Sequence, residues 1–185
     1  MIVTLIVLCE VGFWVLLAAG LALRYVARKP RLGAAVLLCE PLLEVVLLVV
    51  TAVDLKNGAE PGLRHGLAAV YIGFTVGLGH STVTWVDARV AHRFAGGPPP
   101  PKPPKYGRAR AAHEWRIAAR WCVSAVTAIV LLQAAAWYVG GDGDTGSLRM
   151  WQQKMLLVIG INLLIAGSYT VFPKREPEVR TGAGP

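Results

Sequence analysis

Apolar residues gather along the chain into five blocks, 2–23, 32–54, 66–87, 117–139 and 151–172, each 22 or 23 residues long. A helix needs roughly 20 residues to cross a hydrocarbon core of about 30 Å, so every block is long enough to span a bilayer. A membrane strand would need only about ten residues of strict alternation. Runs such as Val45-Val46-Leu47-Leu48-Val49-Val50 are apolar on every side, which excludes strands. The pattern predicts an all-α polytopic integral membrane protein, a single domain over residues 1–185 built as a bundle of five transmembrane helices.

Composition agrees. Of the 185 residues, 55% are hydrophobic and 16% charged, against about 45–50% and about 25% in a soluble domain. A soluble enzyme, a disordered scaffold and a fibrous repeat are excluded. The location implied is the plasma membrane, crossed several times.

Basic residues set the orientation, since Lys and Arg accumulate on the cytoplasmic side. Fourteen of the nineteen lie in 24–31, 88–116 and 173–185, whereas the other two connections hold only Lys56, Arg64 and Arg149. The N-terminus is therefore expected outside, and 94–116 and the tail 173–185 inside. The first block carries no positive charge ahead of its apolar run and is interrupted by Glu10, so it is read as a retained helix. The net charge of +8 follows from the same cations. Attraction to anionic lipid at the cytoplasmic face, worth about 1 kcal/mol per basic residue, explains them without nucleic acid. Within the inner connection, the run 96–105 is rich in Gly and Pro and is expected as an extended polyproline spacer. The basic stretch that follows is expected to lie along the membrane surface ahead of the fourth span.

Inside the spans the polar residues are few. Cys9, Cys39 and Cys122 form no close pair and are read as small apolar residues. Glu10, Glu40, Glu44 and His80 are the ionisable groups at depth. A carboxylate at a helix centre costs about 2.5–3.5 kcal/mol on insertion, which makes such residues candidates for function. At about 100° per residue, Glu40, Glu44, Thr51 and Asp54 share an arc about 80° wide on the second span, and Gly73, Gly77, His80, Thr84 and Asp87 share another on the third. Gly73, Gly77 and Ser81 continue a ladder of small residues suited to close helix packing.

Depth along the spans suggests a polar track with Glu40 and His80 at its inner station and Glu44 and Glu10 above. Pro41 is expected to kink the second helix beside Glu40. A buried carboxyl facing an imidazole is a setting for proton uptake and release. Asp87 and Arg120, both near the inner face, are expected to pair.

Three classes follow: a small proton- or cation-linked transporter or channel using the Glu/His track; a non-catalytic membrane accessory or sensor subunit, homo-oligomeric or joined to a membrane partner; and an intramembrane metalloenzyme. The third ranks last, because a metal site wants several His or Cys ligands and only His80 lies deep. Neither metal, cofactor nor catalytic residue is indicated. The orientation is checked by reporter fusions: one placed after Pro185 should read as cytoplasmic and one inserted at Gly143 as external.

Overall fold

The computed structural model describes residues 2–60, 62, 66–94, 96–141 and 143–173, with the side chains of 2, 3, 5, 6, 9, 10 and 94 excepted. Every regular element among the described residues is helical. α1 (Ile2–Leu21) runs into a π-helical turn, Ala22–Val26. α2 (Pro30–Leu37) and α3 (Cys39–Lys56) form the second rod; α4 (Leu67–Phe74), a second π-helical turn at Thr75–Gly79 and α5 (His80–Phe94) form the third. α6 (Gly107–Val139) and α7 (Gly146–Val171) are unbroken. Pro30–Lys56, Leu67–Arg93, Gly107–Val139 and Gly146–Val171 are each long and apolar enough to cross a bilayer, and Val11–Val26 is a shorter apolar helix in the first rod.

The second rod is interrupted at Leu38. Pro41 lacks the N–H that would bond to the carbonyl of Leu37, so the break falls within the turn before the proline. The basic stretch ahead of the fourth block departs from the surface-lying segment anticipated from sequence. It is the first turns of α6, a single helix of 33 residues whose length of about 50 Å exceeds the hydrocarbon core. Arg110 pairs with Glu114 one turn on, at 2.5 Å, and sits over the ring of Tyr169 on α7. Trp115 donates its indole N–H to the Thr170 hydroxyl at 2.9 Å. These contacts carry the helix outward beside the end of α7.

α6 is the centre of the bundle. Ala118, Ala125, Leu132 and Val139 recur every seven residues on its buried face, with Ala128 and Ala135 between them. Against this stripe pack Leu47, Leu48, Ala52 and Leu55 of α3 and Ala68, Ala69 and Ile72 of α4. α7 closes on the other side through Leu148 and a hydrogen bond from Gln152 to Gln133 at 3.0 Å. Small side chains let backbones approach where lipid offers no hydrophobic drive to bring helices together.

The third rod comes close to the backbone of α6. A Cβ at Gly77 would lie 2.5 Å from the Arg120 carbonyl oxygen and 2.6 Å from the Ser124 nitrogen, and one at Gly73 would meet the Ser124 carbonyl and lie 3.0 Å from the Ala128 methyl. Gly160 on α7, by contrast, has open space around it. Gly77→Ala should therefore cost about 1–3 kcal/mol, the usual scale of overpacking, read as a lower unfolding midpoint of the detergent-solubilised protein. Gly160→Ala should leave that midpoint unchanged.

Candidate functional site

The acids of the second rod lie on its packed side. On α3, Glu44 is 4% exposed and Thr51 1%, on the face that carries Leu47, Leu48 and Leu55. The Thr51 hydroxyl donates to the Leu48 carbonyl at 3.0 Å, so it needs no partner from another helix. Glu40 lies one turn before Glu44, in the first turn of α3 just past the break at Leu38. It is partly buried, and its Oε1 atom is buried with no hydrogen-bond partner among the described residues. The side chain of Glu10, anticipated beside Glu44, lies outside the described residues.

His80 is not at the inner station. Its side chain is exposed on the outside of the bundle, and no hydrogen bond joins it to Glu40 among the described residues. The reason is the π-helical turn Thr75–Gly79. A π turn holds one more residue than an α turn, so everything after it is rotated by about 100°, the angle of one helical residue. Gly73 and Gly77 face α6, while His80, which a straight helix would set on the same side, does not. Ser81 lies just beyond this turn and donates its hydroxyl to the Leu78 carbonyl at 2.8 Å.

The pairing anticipated between Asp87 and Arg120 is also replaced. Asp87 on α5 accepts from Arg24 and Tyr25, both in the π-helical turn that ends the first rod. Arg24 Nε donates to Oδ1 at 2.9 Å and its Nη2 to Oδ2, a two-pronged ion pair; the Tyr25 hydroxyl donates to Oδ1 at 2.7 Å. Arg24 is 16% exposed and Asp87 38%. Arg120 is exposed on α6, contributing its backbone to the contact with Gly77.

Sequence reasoning missed Arg24 and Tyr25 because the arginine was already accounted for as one cation of an inner loop. One signal was available. Gly20 and Gly33 bring the first rod and α2 together so closely that a Cβ at Gly33 would lie 2.7 Å from the Arg24 Cβ and 2.8 Å from its nitrogen. Such a hairpin holds Arg24 on the bundle rather than free in a loop. Its turn is tight, with Lys29 N–H bonded to the Leu23 carbonyl at 2.9 Å and Arg28 in the left-handed region at φ 55°.

Chemically, α3 offers two carboxyls one turn apart inside an apolar bundle, and the C-terminal end of the first rod offers an ion pair with a tyrosine hydroxyl bonded to it. Among the described residues no group of three or more His, Cys, Asp or Glu side chains is placed to hold a metal ion. An open apolar groove lined by Gly160, Leu163, Leu164 and Gly167 lies on α7, a different helix from the acids.

No family profile matches the sequence, and no solved structure matches it. It is similar to the uncharacterized membrane protein YmcC of Bacillus subtilis (strain 168), with 33% identity over 177 residues that cover 93% of this chain and 92% of the relative. With its membrane-length apolar helices, the protein is an integral membrane protein that passes the bilayer several times, and it belongs to the family of YmcC.

Proposed function

We propose that the protein is a small proton- or cation-linked transporter or channel of the plasma membrane in which Glu44 and Glu40 carry the proton or ion. The observation that carries this reading is the pair of carboxyls on α3: Glu44 buried to 4% exposure in the bundle, and Glu40 one turn away with a buried oxygen that no described residue serves. Inserting two such groups costs on the order of 5–7 kcal/mol. A carboxyl that only fixed packing would be expected to have both oxygens engaged, as Asp87 does. An oxygen kept dry and unserved is instead available to a proton or a cation that comes and goes.

The same reading sets the N-terminus outside and the C-terminus in the cytoplasm, from the distribution of Lys and Arg, with anionic lipid against the basic inner face. A second reading, a non-transporting accessory or sensor subunit that binds a membrane partner or a second copy, is favoured by one observation. With His80 on the outside of the bundle, the acids of α3 lose the inner station of a continuous path.

Flux separates the two. In proteoliposomes, Glu44→Gln and Glu40→Gln should each lower proton or cation flux about 100-fold, the scale of losing a positioned proton-transfer group, while leaving the unfolding midpoint in place. His80→Ala should change flux little, because its ring does not face the acids. Wild-type protein that moves neither protons nor monovalent or divalent cations decides for the accessory reading.

A further inference from the structure

The third rod is two unlike halves. Its first half, α4, is held on two sides: Ala68, Ala69 and Ile72 are buried against α3 and α6, and Gly73 rests on the α6 backbone. Its second half, α5, has no buried residue from His80 to Arg93. His80, Thr82, Val83, Thr84 and Trp85 are exposed in near succession, which covers every face of the helix. The hydroxyls of Ser81 and Thr84 are spent on carbonyls of the same rod, and Arg89 lies over the ring of Trp85 on its own helix. Beyond its own rod, the hydrogen-bonded tie that α5 makes to another helix, among the described residues, is Asp87 on Arg24 and Tyr25.

Between the halves lies the π-helical turn Thr75–Gly79, which contains two glycines. Its hydrogen bonds span one residue more than those of an α turn, a geometry found mostly as single turns and often at functional sites. Gly77 is pressed on α6, so one side of the turn is fixed. Gly79 has only the methyl of Thr75 near, at 3.6 Å, so the other side is free.

We infer that α5 is an arm hinged at Thr75–Gly79 and latched to the first rod by the Asp87 carboxylate on Arg24 and Tyr25. A fixed fulcrum, a soft turn, an unpacked lever and a single polar clasp are the parts that such a device requires. The clasp is set by the first π-helical turn, Ala22–Val26, which directs Arg24 and Tyr25 at α5, and by Gly33, which leaves room for the Arg24 stem. Release of the clasp parts α5 from the α1–α2 hairpin, opens that end of the bundle and carries the proline-rich connection with it. The inference goes beyond the proposed transport and stands whether or not the acids of α3 carry a proton.

Distances between spin labels on the full chain test it. In a background with Cys9, Cys39 and Cys122 replaced by alanine, one pair sits at Arg93 on α5 and Leu32 on α2, and a control pair at the exposed Val130 and Leu164 on α6 and α7. At about 1.5 Å per residue Arg93 is about 20 Å from the hinge, so a rotation of about 20° moves it by about 7 Å. Wild-type protein should give one narrow distance for the first pair. Asp87→Asn and Arg24→Gln should each add a population about 7 Å longer, with the control pair unmoved, and the exchange Arg24→Asp with Asp87→Arg should restore the narrow distance. Should Asp87→Asn fail to fold, Tyr25→Phe removes one hydrogen bond and keeps the ion pair, and should give the longer population at lower amplitude. Single variants with the wild-type distance overturn the latch. Variants in which both label pairs broaden together overturn the hinge, since the cluster would then clasp the whole bundle.

Discussion

The backbone contact of Gly73 and Gly77 with α6 is the constraint from which the rest of the arrangement follows. In a bilayer, apolar side chains gain nothing by leaving lipid for protein, so helices associate where backbones come close enough for dense van der Waals contact. The third rod meets Arg120, Ser124 and Ala128 at such a distance that a single methyl would collide with them. Once it is fixed there, α6 presents its stripe of Ala118, Ala125, Leu132 and Val139 to α3 and α7, and the buried acid Glu44 lies on the packed face of α3.

The same contact decides which half of the third rod is rotated by the irregular turn. The extra residue in Thr75–Gly79 has to be absorbed somewhere, and the half of the rod pinned to α6 cannot rotate. The displaced half is α5, whose faces are turned out of register with α4. What a straight helix would have shown to the bundle, His80 above all, is then turned outward. Asp87, carried round by the same step, meets the end of the first rod and not Arg120.

This marks how much could be read from the residues alone. The helical blocks were legible because each is long, apolar and bounded by charges, and those features depend on the bilayer and not on tertiary detail. The face shared by Glu44 and Thr51 was legible because α3 is regular over that stretch. The Glu40–His80 pairing and the Asp87–Arg120 pairing were not, because both rest on depth along the spans, and depth does not fix the direction in which a side chain faces once a π turn has rotated the helix. No local residue in Thr75-Val76-Gly77-Leu78-Gly79 announces a π turn. Likewise Arg24 reads as a loop cation until Gly20 and Gly33 are seen to fold α2 back on the first rod. The helical start of α6 at Gly107 was hidden for a different reason: its support, Tyr169 and Thr170, lies some sixty residues away in sequence.

The polar groups left inside the spans sort by whether a helix can satisfy them by itself. Thr51, Ser81, Thr84, Thr127, Ser168 and Thr170 all donate a hydroxyl to a carbonyl three or four residues back, and Asn162 does the same with its amide. A donor with a helical turn behind it can reach such a carbonyl, so these side chains cost little wherever they point; Ser147, in the first turn of α7, has no such turn, and its buried hydroxyl is without a partner among the described residues. An ionised carboxylate has no proton to give and the helix has no free N–H to offer it, so it must find a donor side chain. Asp87 reaches Arg24 and Tyr25, and Glu114 reaches Arg110 on the helix end beyond the core. Glu40 has an oxygen that reaches nothing described, and it sits where Pro41 leaves the Leu37 carbonyl without its usual N–H. A proton on Glu40 would turn that carboxyl into a donor like the hydroxyls above, which is the state the proposed transport requires of it.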